Sequence, residues 1–178
     1  LVNCGTSEYE IGEVRQYERS TKAHNTVVVN GKNSSEVWNS FRVARRAYPF
    51  DLKIEELENF VSITCAHDGY KRLVGKPIHR RNWQFFESSL IIKDHIDGSF
   101  KSAYANFHFH QSTIIVKNQN NIWNLELPNG QKIILEVKSG EPLIETSFYS
   151  PEFGKRLKTN RLKILLDKEN GSCVKILW

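Results

Sequence analysis

Ile122-Trp123-Asn124-Leu125-Glu126-Leu127-Pro128-Asn129-Gly130-Gln131-Lys132-Ile133-Ile134-Leu135-Glu136-Val137 reads as strand, turn, strand. Pro128 presets φ and Gly130 permits a positive φ, so the chain reverses and the two flanking runs pair as a hairpin. The same grammar recurs on both sides. Thr26 to Val29 is a strand that meets Asn30-Gly31, a strong turn dipeptide. Val37 to Ala47 alternates loosely. Phe60 to Ala66 alternates well and meets Asp68-Gly69, and Trp83 to Lys93 is a further strand closed by Asp97-Gly98. Ala105 to His110 and Thr113 to Lys117 follow, and Leu162 to Leu166 and Val174 to Leu177 flank Asn170-Gly171 as a last hairpin. Ile54 to Val61 is the one helical candidate, with Ile54, Leu57 and Val61 on a face, and the polar stretch Tyr9 to Lys22 reads as a long loop. About ten short strands with Gly and Asn turns predict an all-β fold, an antiparallel β-sandwich of two stacked sheets with little helix. The expectation is a single domain over residues 1–178, a size that can bury a core.

Composition agrees and excludes some classes. Apolar residues are 39% and charged residues 25%, so the chain is not disordered. No apolar run approaches the ~20 residues of a membrane span. The net charge of +5 favours anionic partners, whether nucleic acid, acidic glycan or a membrane surface, without choosing among them. Cys4, Cys65 and Cys173 form no close pair and no zinc spacing, which allows one disulfide at most and leaves the redox compartment open. The opening Leu1-Val2-Asn3-Cys4-Gly5 reads as a strand end and a turn, and residue 1 is expected to be a boundary within a larger protein.

The densest polar stretch is Arg15 to Thr26, a loop that enters an apolar strand, which is a usual place for a site on a β scaffold. His67-Asp68-Gly69-Tyr70 reads as turn chemistry. His79-Arg80-Arg81, placed just before a strand, is a candidate anion binder or a solvated basic patch. His108 and His110 share a strand face suited to a metal, yet no nearby Cys or carboxylate completes a set, so strand packing is the expectation. Catalytic-triad signatures, nucleophile elbows and phosphate-binding glycine loops are absent, and the aromatics do not interleave with basic residues as in RNA binders.

Asn3-Cys4-Gly5-Thr6, the run Arg19-Ser20-Thr21-Lys22-Ala23-His24-Asn25-Thr26-Val27-Val28-Val29-Asn30-Gly31, then Ser35-Glu36-Val37-Trp38 and Phe41 to Ala47 together carry a specific pattern. It resembles the C-terminal domain of heparinase II/III-type polysaccharide lyases. His67 to Tyr70, His79 to Arg81 and Ser150-Pro151-Glu152-Phe153-Gly154 extend the resemblance over nearly the whole chain.

The resemblance implies an N-terminal α/α toroid ahead of a β-sandwich, with the active site in the cleft between them, and β-elimination on a uronic-acid polysaccharide. In the family a Tyr and a carboxylate-binding Asn or His come from the toroid, and another His comes from an upstream His-x-His motif. None of these lies in the present residues, so the 178-residue chain is expected to be inactive alone and to supply one wall of the cleft. The family also implies a metal site, usually zinc, to which His24 and the residue at position 3 would contribute. Position 3 is Asn rather than Asp, and a neutral amide is a poor zinc ligand, so metal binding by this chain is expected to be weak or absent. Arg15, Tyr17 and Arg19 are the expected substrate-binding residues. The expected partners are an acidic polysaccharide and the toroid domain, not nucleic acid. The expected setting is periplasmic or secreted. The alternative is a non-catalytic glycan-binding or interaction domain of the same fold.

Overall fold

A computed structural model describes residues 1–178. Fourteen strands form three antiparallel sheets. They are β1 (Val27–Val29), β2 (Val37–Trp38), β3 (Arg42–Val43), β4 (Pro49–Leu57), β5 (Phe60–His67), β6 (Ile78–Phe86) and β7 (Ser89–Asp97), followed by β8 (Ala103–His108), β9 (Ile114–Gln119), β10 (Ile122–Glu126), β11 (Lys132–Ser139), β12 (Glu141–Tyr149), β13 (Leu157–Leu165) and β14 (Ser172–Leu177). An eight-stranded sheet runs β4-β5-β6-β7-β14-β11-β10-β9, a four-stranded sheet runs β1-β8-β13-β12, and β2-β3 is a small ribbon.

The two main sheets face each other across one core. Val27, Ala105, Phe107, Leu162 and Ile164 enter it from the smaller sheet, and Ile92, Trp123, Leu125, Leu135 and Val174 enter from the larger. Alternation selects these residues, because successive side chains on a strand point to opposite faces. The expected all-β sandwich is therefore what the chain forms. The opening hairpin is present: Trp123 pairs with Leu135 and Leu125 with Ile133, and Gly130 turns at φ +80°.

Several elements differ from the sequence reading. Ile54 to Leu57 is not helical but lies in the edge strand β4, with Ile54 opposite Ile63 and Leu57 opposite Phe60. The smaller sheet does not cover this edge. Ile54 and Leu57 are both exposed, so no one-face pattern marks the strand, and Asp51, Lys53, Glu55 and Glu56 guard it with charge. Trp83 to Lys93 is a hairpin, β6–β7, whose turn at Glu87-Ser88 carries no Gly or Asn signal. The hairpin expected at Asn170-Gly171 is only a local bridge between Asp167 and Gly171, because β13 and β14 belong to different sheets. Gly171 holds φ +67°, and a Cβ there would lie 2.0 Å from the Asp94 carbonyl oxygen. Strand β12 was not anticipated, and the polar stretch expected as loop contains the short helix α1, Glu13–Glu18. The buried residue of α1 is Glu18, so no apolar stripe advertises it.

A buried ion pair crosses the larger sheet. Asp94 accepts from Arg81 Nε at 2.6 Å and Nη2 at 3.0 Å, from His79 Nε2 at 2.7 Å and from Ser172 Oγ at 3.3 Å. His79-Arg80-Arg81 is thus inside β6 rather than ahead of a strand, and only Arg80 faces outward, to Asp51 and Asp97. Burial alone would raise the Asp94 carboxyl, but the Arg81 charge and the His79 hydrogen bond outweigh it and hold the group well below the usual carboxylate range. Removing one partner strands the other charge in the core. Asp94→Ala should therefore lower stability by about 3–5 kcal/mol, read as a drop in the denaturant midpoint, and Asp94→Asn by less.

Candidate functional site

The site begins with the chain's first 26 residues, which wrap the outer face of the smaller sheet. Val2 donates its N–H to the His108 carbonyl at 2.9 Å, and Cys4 accepts from Ser150 N–H at 2.6 Å. Asn25 locks this wrapping: its Nδ2 donates to Val2 O at 2.9 Å and its Oδ1 accepts from His108 N–H at 2.7 Å. The Asn25 carbonyl in turn accepts from Arg81 Nη1 at 2.6 Å. Glu18 closes the other end, accepting from Ser7 N–H at 2.8 Å and from Ser7 Oγ at 2.5 Å. Cys4 is buried beside it, and burial with the Glu18 charge pushes its thiol up to about 12. The three cysteines are unpaired.

Residues 19–24 form a wall between two grooves. Arg19, Thr21 and His24 face one groove of about 440 Å³, together with Ser34, Ser35 and Arg46. Tyr17, Ser20 and Lys22 face the other. The three expected substrate-binding residues are therefore separated. Arg15 enters neither groove; it donates to the Ser40 carbonyl at 3.2 Å and Thr6 Oγ1 at 3.3 Å and lies over the Tyr9 and Phe41 rings. Arg19 donates to the Asn39 and Arg42 carbonyls, which ties the wall to the β2–β3 ribbon.

His24 and Asn3 are brought together. Asn3 Oδ1 lies 2.6 Å from His24 Nδ1 and accepts the Cys4 N–H at 3.0 Å. An amide oxygen can only accept, so His24 Nδ1 carries the proton and Nε2 presents its lone pair. Burial lowers the His24 pKa, which favours the neutral ring. With both contacts made, Asn3 Oδ1 orients the imidazole rather than standing beside Nε2 as a second donor. No group of three or more His, Cys, Asp or Glu side chains is arranged to hold a metal ion. These residues supply one ligand, and they do not fit a metal held by this chain alone.

His108 and His110, whose expected role is strand packing, do not converge on a common site. β8 ends at His108, and His110 turns away to pack on Tyr149 at 5.4 Å. His108 is fully buried instead. Its Nε2 donates to the Lys22 carbonyl at 3.0 Å, so its Nδ1 accepts from Ser147 Oγ at 3.1 Å, and Ser147 Oγ accepts from Tyr17 OH at 3.1 Å. His67 keeps the expected turn chemistry, accepting from Gly69 N–H at 3.2 Å, and also donates through Nε2 to His79 Nδ1 at 3.0 Å. Asn25, Ser147 and the Arg81–Asp94 pair were missed from sequence. Only Asn25 had a signal, its place in the His24-Asn25-Thr26 run.

The family model described as heparinase II/III-like, C-terminal, matches residues 1–177. The chain belongs to this family. Among solved structures, the heparinase II/III-like domain superposes on a heparinase III gene product with a TM-score of 0.72 at 21% identity, over 98% of this chain and 26% of that one. It superposes on heparan sulfate lyase HepC from Pedobacter heparinus with a TM-score of 0.74 at 17% identity, over 99% of this chain and 28% of that one. At these identities the likeness is one of fold. The domain spans about a quarter of the length of those structures. A sequence comparison with curated proteins gives no match. No helix of the domain is long and apolar enough to cross a membrane.

Two measurements follow from the histidines. Burial, first of all, lowers both His67 and His108 to about 4. The unfolded chain therefore takes up more protons than the folded one below about pH 6.5, and each histidine removes up to about 3 kcal/mol of stability as pH falls from about 6.5 to about 4. Urea midpoints across that range should fall, and His67→Gln should flatten the fall. Zinc titration should find weak or no binding to this chain, with His24→Ala changing the bound metal little. Tight stoichiometric zinc would contradict the one-ligand geometry.

Proposed function

We propose that this domain is part of a lyase that cleaves a uronic-acid polysaccharide by β-elimination, and that the groove of Arg19, His24 and Arg46 is its contribution to one wall of the active-site cleft. Elimination has three needs: the uronate carboxylate must be neutralised, the C5 proton must be removed and the leaving oxygen must be protonated. Arg19 and Arg46 suit the first, as guanidinium groups that pair with carboxylate or sulfate. The observation that carries the reading is the 2.6 Å contact that fixes His24 with its Nε2 lone pair free. Family membership and the names of the similar structures, heparinase III and heparan sulfate lyase, supply the reaction class and the acidic polysaccharide.

The remaining catalytic groups belong to the toroid domain in this reading, and the whole protein works in the periplasm or outside the cell. A zinc or other divalent ion in the whole protein would take one ligand from this domain, His24 Nε2, and its other donors from elsewhere. A non-catalytic glycan-binding domain is the second reading. It is favoured by Asn3 where the family pattern has Asp and by the lack of a complete ligand set.

The deciding assay uses the full-length protein on a panel of uronate polysaccharides, following ultraviolet absorbance of the unsaturated uronate product. The expected result is a signal on one substrate, reduced at least about 100-fold in His24→Ala. Glycan binding without any product on the panel would support the second reading.

A further inference from the structure

The second groove, of about 930 Å³, runs between helix α1 and strand β12, on the far side of the wall from His24. Its lining carries three cations, Lys22, Arg156 and Arg161, against one carboxylate, Glu13. Arg161 is neutralised by Glu145 at 2.7 Å. Lys22 and Arg156 have neither a carboxylate partner nor a side-chain hydrogen bond within the protein. Both are nevertheless held by aromatic rings: Arg156 lies 3.8 Å from the Phe148 ring centroid, and Lys22 Nζ lies 5.3 Å from that of Tyr17. A guanidinium laid on a ring is restricted in orientation while its N–H edge stays free. Ordering costs less when such a cation then meets an anion. Tyr17 is set in the same way. Its hydroxyl hydrogen is committed to Ser147, which is committed to the buried His108, so its oxygen offers lone pairs to incoming donors. The groove thus combines oriented cations for carboxylate or sulfate, an acceptor for sugar hydroxyls and the half-buried rings of Tyr17 and Tyr104 in its lining.

We propose that this groove is a second binding site for an anionic oligosaccharide, separate from the His24 groove, which holds the acidic chain at a distance from the bond being cleaved. The ligand class rests on the proposed function, and the site rests on Lys22, Arg156 and Tyr17. A wall one chain thick separates the two grooves, so one polymer segment can be gripped by Lys22 and Arg156 while another lies against His24.

The test is calorimetric titration of the 178-residue chain with a size-defined heparan sulfate octasaccharide and, in parallel, an oligogalacturonate of equal length that carries carboxylates alone. The Lys22→Gln/Arg156→Gln double variant should weaken binding at least about 10-fold, one charge-assisted contact or more, while Lys132→Gln/Lys168→Gln, which removes the same charge at exposed positions outside both grooves, changes it less than about 2-fold. Binding of both ligands assigns carboxylate recognition to the groove, and binding of the octasaccharide alone assigns sulfate recognition. Wild-type affinity in the Lys22→Gln/Arg156→Gln variant, an equal loss in Lys132→Gln/Lys168→Gln, or no binding of either ligand would overturn the proposal. Groove-dependent binding together with no elimination by the full-length protein would overturn the lyase reading and leave this site standing.

Discussion

A carboxylate with no exposed side-chain surface, Asp94, clamps Arg81 in the middle of the larger sheet, and the site is suspended from that clamp. The pair is placed where Arg81 can do two things. Two of its nitrogens satisfy Asp94, and the third reaches across the layer to the Asn25 carbonyl. Asn25 then pins Val2 and the backbone of His108. The segment that carries His24 is tied into the core by charge-assisted bonds, which are stronger and more directional than apolar contact. A loop held this way keeps a polar side chain in place without burying the backbone beside it.

The histidines follow a common logic. Each of His24, His67 and His108 has one ring nitrogen assigned by a neighbour that can act in only one sense: an amide oxygen at His24, a backbone N–H at His67 and a carbonyl at His108. Burial disfavours the charged ring in all three. Tautomer and protonation state are therefore set together. At His24 this leaves a lone pair facing a groove. At His108 it orders Ser147 and Tyr17. Nearby cations, Arg81 at His67 and Arg161 at His108, add to the effect of burial, while Lys22, Arg46 and Arg156 are exposed at the grooves, where water and an anionic partner can reach them.

The wall of residues 19–24 makes two grooves from one segment because it alternates polar side chains between its sides. A pure loop would not do this reliably. The short helix α1 and the single 3₁₀ turn Thr21–Ala23 fix the alternation, and Thr21 braces the turn by accepting from Ser34 N–H at 2.8 Å while its own N–H goes to Asn33 Oδ1 at 2.9 Å. Such bracing turns Arg19 and Lys22, three residues apart, to opposite sides.

The sequence by itself determined the sandwich, because period-two alternation with Pro128-Asn129-Gly130 and Asn30-Gly31 turns is a local signal that survives without knowledge of the partner strand. It also carried the family pattern and brought His24 and Asn3 forward as a pair. Three kinds of feature were closed to it. Edge strand β4 was misread as helix, since nothing covers it and the alternation that burial imposes is lost. The break between β13 and β14 was misread as a hairpin, since Asn170-Gly171 specifies a turn but not which sheet the chain enters next. The Asp94–Arg81–Asn25 chain and the split of Arg15, Tyr17 and Arg19 among a brace and two grooves were decided by tertiary structure alone. Charged side chains far apart in sequence have no periodicity to announce that they will meet, and only the packing of the two layers places their atoms within hydrogen-bonding distance.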